Sequence, residues 1–177
     1  MSGFSFRGIH SGKFGIYTQD ANRIILPSRR EGKIVIPGRS GYYNGVAGNV
    51  YGERSEAIRC SFKCPDGKTV PEVCREIAYW LSGTGRLVYD KEPDKYYMAH
   101  ISGGPPMAQH FKYGEFDLTW DYNPPFAFGR NVTQEIAAGE NAVAYRGTAE
   151  TPCLIVLKNI SETNVLDVTI TAIKRSV

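Results

Sequence analysis

Apolar and polar residues alternate along the stretch EAIRCSFKC, residues 56–64, and this period of two restricts the fold more than any other feature. Successive side chains of a β-strand point to opposite faces, so alternation places one face against a core and the other toward water. Phe4 and Phe6 alternate with polar neighbours in the same way. We therefore expect a mainly β protein. In residues 56–64 the shared apolar face carries Ile58, Cys60, Phe62 and Cys64.

Further strand-like runs recur along the chain, separated by glycine, proline and Asn-Gly turn signals. The segment 102–110, SGGPPMAQH, is predicted to be a loop, and Asn123–Phe126, NPPF, a break. The predicted strands are 4–9, 10–18, 33–36, 54–64, 85–90, 95–101, 114–122, 141–147, 152–159 and 165–173.

One segment, TVPEVCREIAYWL, has the period of a helix instead. Its apolar residues are spaced three, one, three, one and three apart, which draws a single stripe along an α-helix. Thr69 is a suitable amino-terminal cap, Pro71 and Glu72 suit the first turn, and Gly83 ends the helix. Trp80 is expected at the margin of the stripe, with Ile77 and Leu81 in the main core. The stripe consists of Val70, Val73, Cys74, Ile77, Ala78 and Leu81.

The order of these elements predicts a mainly β (α+β) fold in two parts. Residues 1–128 form a β-rich domain with one packed helix, and residues 129–177 form a short β segment. The second part, with about fifty residues, is too short for a complete β-sandwich domain of roughly 100 residues. No apolar run approaches the roughly 20 residues that cross a bilayer, and the amino terminus lacks the pattern of a secretion signal. We expect no membrane association.

The sequence shows no recognisable catalytic or metal-binding motif. On a strand, Cys60 and Cys64 would lie about 13 Å apart, too far to share one ion or to form a disulfide. We therefore expect all four cysteines to be buried and reduced. The three histidines, His10, His100 and His110, have no paired carboxylate motif, and the SGTG after the helix is a cap rather than a phosphate loop. We expect no enzyme activity, no cofactor and no metal.

The segment IPGRSGYYNG, residues 36–45, lies between two predicted strands and has three possible roles. It is a phosphate-binding loop, a sugar-binding aromatic loop, or a rigid connection that meets another protein. The chain contains eleven tyrosines, which suit protein or sugar contacts but also occur in β-cores. The first forty residues carry seven Lys and Arg against two acids. A basic surface of this kind suits binding to an acidic partner or to nucleic acid. Lys and Arg on exposed strand faces equally serve to prevent aggregation through strand edges.

The order of several motifs resembles the distal tail protein (Dit) family of long, flexible-tailed bacteriophages. The resemblance covers residues 3 to about 128. It begins with FSFRGIHSGKFGIY and IPGRSGYYNG, and continues through YWLSGTGRLVYDKEPDKYYMAHI to GEFDLTWDYNPPFAFG. The shared elements include Pro37-Gly38-Arg39, Trp80-Leu81, and Asp90 through Pro93-Asp94 to Tyr96-Tyr97.

The resemblance implies a structural role in a virion tail, in a protein assembled in the cytoplasm of the host. Six copies would form a ring between the tail tube protein and a tail-tip or baseplate hub protein, around a channel that passes DNA. Residues 129–177 would begin a galectin-like sandwich that carries receptor-binding proteins. Arg39, Tyr42 and Tyr43 are then candidate subunit-interface residues, with one tyrosine packed inward and the other facing a neighbouring copy. The alternative function is a carbohydrate-binding β-module for attachment to the host surface.

Overall fold

The computed structural model describes residues 2–21, 23–46, 48, 50–149, 151–160, 162–164 and 168–171. The chain divides into two compact units, Met1–Glu135 and Ile136–Val177. The predicted boundary after residue 128 stays a prediction. Among the described residues, no helix is long and apolar enough to span a membrane.

The described residues of the first unit form ten strands, one α-helix and one turn of 3₁₀-helix. The strands are β1 Phe4–Phe6, β2 Ile9–His10, β3 Ile16–Ala21, β4 Lys33–Ile34, β5 Tyr43–Asn44, β6 Arg54–Lys63, β7 Gly85–Tyr89, β8 Tyr97–Ile101, β9 Ala108–His110 and β10 Tyr113–Tyr122. The 3₁₀ turn is Ser11–Phe14, and the helix, α1, is Val70–Leu81.

Eight of these strands form one antiparallel sheet in the order β2-β1-β7-β8-β10-β6-β3, with β9 paired to the far end of β10. The sheet curls on itself, because Ser2, just before β1, pairs with Thr18 in β3 at the other edge. The N–H of Thr18 donates to the carbonyl of Ser2 at 2.9 Å. This contact brings the sheet edges together, and we call the curled sheet the barrel.

The core lies inside the barrel, along β6 and β10. These strands pair over their full length, from Tyr122 opposite Arg54 to Tyr113 opposite Lys63. The inward face of β6 carries Ile58, Cys60 and Phe62, as the alternation predicts. The fully buried large side chains of the core include Phe4, Phe6, Ile16, Ile58, Phe62, Leu87, Leu118 and Trp120.

The helix has the predicted bounds, and Thr69 caps its amino-terminal end as expected. The carboxylate of Glu72 accepts hydrogen bonds from the backbone N–H of Thr69 at 2.9 Å and from its hydroxyl at 2.7 Å. Those hydrogen bonds lower the pKa of Glu72. Beyond the helix, Gly83 has φ of +82°, a conformation that favours glycine.

The predicted position of Trp80 at the margin of the core is wrong. Its ring is 4% exposed and stacks on Phe14, with ring centroids 4.6 Å apart, and on Phe4 at 5.6 Å. Its indole N–H donates to the carbonyl of Phe6 at 2.9 Å. Ile77 is only partly buried. The spacing of apolar residues shows which face of the helix is buried. Trp80 lies beside that face, and its large ring still reaches the aromatic side chains of the core.

The strand predictions hold best where strands are long. The segments at 54–64, 85–90, 95–101 and 114–122 are confirmed with small shifts of their ends. The segment 33–36 is a strand only at Lys33–Ile34, and its partner β5 lies in what was predicted to be a loop, as does β9. These short strands depend on a partner across a turn, which local alternation does not identify.

The second unit differs from prediction. Its described residues carry no strand, so the strands predicted at 141–147 and 152–159 are wrong; most of 165–173 lies outside the described residues. Apolar side chains there, including Val143, Leu154, Val156 and Ile160, are exposed. Alternation favours a strand only when another strand pairs with it, and the described residues of this unit supply none.

Candidate functional site

Residues 24–53 leave the barrel after β3 and return at β6, and we call them the arm. Its two legs run antiparallel. Near the barrel, the N–H of Gly52 donates to the carbonyl of Ser28 at 2.7 Å and that of Arg30 to Val50 at 2.8 Å. Further out, β4 pairs with β5, and the side-chain oxygen of Asn44 accepts the N–H groups of Gly32 and Val46.

The arm exposes an unusual amount of apolar surface. Ile25 is 99% exposed, Val35 69% and Leu26 67%. Single exposed apolar residues are ordinary, but a group of them on one projecting element is typical of a surface that binds another protein. The remaining exposed apolar residues of the arm are Ile24, Ile34, Ile36, Tyr42, Tyr43 and Val50.

The candidate interface residues lie at the outer end of the arm. The guanidinium of Arg39 stacks over the ring of Tyr43, 4.4 Å from its centroid. The ammonium of Lys33 lies 5.0 Å from the ring of Tyr42, whose hydroxyl donates to Glu31 at 3.4 Å. The two tyrosines are 50% and 46% exposed, so the expectation that one packs inward is wrong. A role of the three residues in an interface stays a prediction.

The turn at the arm's end explains the glycines of IPGRSGYYNG. The N–H of Arg39 donates to the carbonyl of Ile36 at 3.2 Å across Pro37 and Gly38. Gly38 has φ of +82°, which fits proline followed by glycine in a type II turn. The segment is therefore a shaped connection between β4 and β5.

The charge of the arm is positive. It carries Arg29, Arg30, Lys33 and Arg39 against Glu31 and Glu53. The Lys33 ammonium lies 3.2 Å from the Glu31 carboxylate, and the hydrogen bond to Glu31 raises the pKa of Lys33. At the outer end, Arg39 lies over the aromatic ring of Tyr43, and among the described residues it forms no ion pair with an acidic side chain.

A buried carboxylate, Glu56, lies where the arm joins the barrel. Its side chain is 4% exposed. One oxygen, Oε1, accepts the backbone N–H of Ile24 at 2.9 Å and the Nε–H of Arg54 at 2.9 Å. The other, Oε2, accepts the hydroxyl of Tyr122 at 3.0 Å. The charge is thus paired and hydrogen-bonded, as a buried carboxylate requires.

Aromatic residues enclose this cluster. The Tyr89 and Tyr122 hydroxyls are 2.8 Å apart, and burial raises the pKa of both, so both stay neutral donors. The Arg54 guanidinium lies over the rings of Tyr97 and Tyr122, at 5.6 and 5.2 Å, and donates to the carbonyl of Pro125 at 3.3 Å. Sequence reasoning missed the cluster. The sequence did contain one signal. Glu56 lies two residues before Ile58, so on a strand both side chains point to the same face.

Other titratable groups form no comparable site in the part of the chain that the structure describes. No three His, Cys, Asp or Glu residues lie close enough to hold a metal ion there. His10 and His100 do meet carboxylates, Asp90 at 3.2 Å and Asp121 at 3.8 Å, on the surface and far from them in sequence.

The cysteines divide by environment. Cys60 and Cys64 are buried as predicted, and burial raises the pKa of the Cys60 thiol to about 12. Cys74 is half-buried. Cys153 is exposed, so its predicted burial is wrong. Its segment was taken for a strand, and no strand forms there to cover it.

Comparisons with known proteins agree with this architecture. The family model of the phage tail protein RIFT-related domain matches residues 10–120, which is more than half of the chain. No curated protein sequence matches the chain.

Eight chains of known structure match it. One is the Dit protein (gp 19.1) of phage SPP1, described as a paradigm of the hub adsorption apparatus in phages that infect Gram-positive bacteria. It is 16% identical, with a TM-score of 0.59 over 73% of this chain and 53% of that one. The matched part spans about half of that protein, and at this identity the likeness shows the fold.

The barrel with its helix therefore has the same fold as the Dit protein of phage SPP1, and the chain belongs to the phage tail protein family defined by the RIFT-related domain.

Proposed function

We propose that this chain forms a hexameric ring that serves as the hub between the tail tube and the baseplate or tail tip. The observation that carries the proposal is the arm. Its apolar side chains have no partner within the described protomer that covers them, and a second copy of the chain is the occupant that a tail ring supplies. Burial of such surface is the main driving force of association.

The arm suits a head-to-tail contact between copies. It leaves the barrel after β3, returns at β6, and exposes apolar and aromatic side chains. A contact between this arm and a different surface of the next copy is head-to-tail, and a head-to-tail contact closes into a ring when the rotation permits. The number six comes from the family resemblance of the sequence.

The ring would have the partners expected of a tail hub. The tail tube protein lies on one side, a tail-tip or baseplate hub protein on the other, and receptor-binding proteins attach outside. DNA passes through the axial channel in transit only. Arg39, Tyr42 and Tyr43 would contribute to the subunit interface, because arginine and tyrosine are enriched at such contacts. The assembled hub belongs to the virion tail and forms in the host cytoplasm.

The first test is particle mass in solution combined with electron microscopy of the same sample. We expect rings with six-fold symmetry at high protein concentration or in isolated tails. Rings of another symmetry in the assembled tail contradict the hexamer, and an absence of any ring there contradicts the hub.

A paired variant tests the arm as the contact. Ile25→Ser with Val35→Ser removes two side chains that are 99% and 69% exposed, so the protomer should keep its melting temperature. We expect the concentration needed for ring formation to rise by about tenfold or more. Tyr79→Ser is the control, since Tyr79 is 83% exposed and belongs to α1 rather than to the arm. Equal assembly of the paired variant and the control would place the contact elsewhere.

A further inference from the structure

We propose that Glu56 is a positioning residue for assembly: it holds the arm in its binding orientation in the free protomer, before a neighbouring copy arrives. The inference rests on the proposed function, in which the arm is the contact between copies. It concerns the root of the arm rather than its exposed surface.

The Glu56 carboxylate connects the outgoing leg of the arm to the barrel. The N–H of Ile24 donates to Oε1, and Arg54, the first residue of β6 after the arm, donates to the same oxygen. The opposite oxygen is held by Tyr122, at the end of β10. Because the three donors come from three different segments, the carboxylate fixes the angle at which the arm leaves the barrel.

A second set of contacts stiffens the first part of the arm. The hydroxyl of Ser28 donates to the carbonyl of Glu53 at 3.3 Å, which joins the two legs again. Tyr51 packs edge-on against Phe126, with ring centroids 5.4 Å apart. Phe126 follows β10, as does Pro125, whose carbonyl Arg54 binds. Tyr51 thus holds the returning leg against the segment after β10, and Arg54 binds the same segment from the first residue of β6.

The choice of residue at position 56 supports a positioning role. It lies on the inward face of β6 with Ile58, where an apolar side chain would satisfy the core. A buried ion pair is often no more stabilising than apolar residues of similar volume. Glu56 and Arg54 are two residues apart, so the donors that fix the arrangement are Ile24 and Tyr122, which are distant from Glu56 in sequence. The carboxylate accepts from Ile24 and Arg54 on one oxygen and from Tyr122 on the other.

Pre-orientation has a direct consequence for binding. An element that is already ordered in its bound position loses less conformational entropy when it docks, so the same contacts yield a tighter complex. Loosening the root should therefore weaken the ring even though Glu56 itself is buried and exposes almost no surface to a neighbour. This separates Glu56 from residues on the exposed surface of the arm.

The test compares Glu56→Gln with Glu115→Gln. The amide keeps the shape of the side chain but removes the charge that holds Arg54. Glu115 is the matched control: it pairs with Arg59 at 3.3 Å across the same two strands, β6 and β10, on the exposed face. Amide hydrogen exchange is measured in protein diluted until its mass is that of a single chain, and ring formation is measured at high concentration.

In Glu56→Gln we expect the amides of Ile24, Arg30 and Gly52 to exchange about tenfold faster, with those of Phe62 and Leu118 unchanged. We also expect ring formation to need about tenfold more protein. Glu115→Gln should match the wild type in both. Unchanged exchange in the arm overturns the proposal, and so does faster exchange throughout the barrel, which would reveal a purely structural role.

A milder variant covers the case in which Glu56→Gln does not fold. Tyr122→Phe keeps the ring in the core and removes one donor to Glu56, and it should give a smaller change in the same arm amides. If the wild type never forms a ring but the arm amides respond as expected, the hub is overturned and the positioning of the arm is supported. If the ring forms and the arm does not respond, only the positioning is overturned.

Discussion

At the scale of single residues, the two buried tryptophans of the barrel differ in what their indole N–H groups meet. That of Trp80 donates to the carbonyl of Phe6, whereas that of Trp120 has no hydrogen-bond partner in the described part of the chain. Trp80→Phe removes a buried hydrogen bond, while Trp120→Phe removes an unpaired donor. We expect Trp80→Phe to lower the free energy of unfolding by roughly 1–3 kcal/mol more than Trp120→Phe. Urea denaturation of both variants measures this, and equal midpoints would contradict it.

The same scale includes Arg39, whose guanidinium stacks on Tyr43 at the exposed end of the arm. Arg39→Glu should leave the melting temperature nearly unchanged, because an exposed charge contributes little to the stability of a protomer. We expect it to weaken ring formation, since the interface would gain an unpaired carboxylate. Arg75→Glu on the exposed side of α1 is the control. Mass and melting temperature are measured together, and a ring as stable as the wild type would show Arg39 to be outside the interface.

At the scale of elements, the cap of α1 supplies a pH dependence. The pKa of Glu72 is lower in the folded state than its usual 4.5, so its hydrogen bonds to Thr69 stabilise the fold above that pH. As pH falls through the lower, folded pKa, the carboxylate is protonated and the contribution is lost. The melting temperature of the wild type should exceed that of Glu72→Gln at pH 7, and the difference should shrink toward pH 3. A constant difference would contradict this.

The elements also show which parts of the fold are predictable from sequence. Residues 54–64 and α1 follow from periodicity alone, because a long strand or helix repeats its pattern several times. The pairing of β4 with β5 does not, since two residues per strand leave no period to detect. Glu56 was overlooked for a related reason: its partners Ile24 and Tyr122 are distant in sequence, and a single polar residue on an apolar face says nothing about which donors reach it.

At the scale of the whole molecule, every large buried side chain of the described core lies between Phe4 and Tyr122. The stability of the first unit should therefore not depend on the second. A chain that ends at Glu135 is expected to melt within about 2 °C of the full chain. Thermal unfolding of the two proteins, followed by circular dichroism, measures this, and a large loss would show that residues 136–177 support the barrel.

The order of strands within the barrel was beyond sequence reasoning. Motif order identified the family, but nothing in FSFRGI indicates that Phe6 lies opposite Leu87. Neighbours in this sheet are distant in the chain, and local patterns carry no information about such pairs.

That pairing also has a consequence for synthesis. Phe4 and Phe6 leave the ribosome long before their main partner strand, β7, which is about 80 residues further along the chain. At roughly 5–20 residues per second, translation of the intervening segment takes about 4–16 s. Throughout this interval two apolar rings that end fully buried lack the strand that pairs with β1 on its β7 side. The nascent chain is then exposed to chaperones, proteases and aggregation, and translation speed between residues 6 and 87 sets the earliest moment at which β1 can pair with β7.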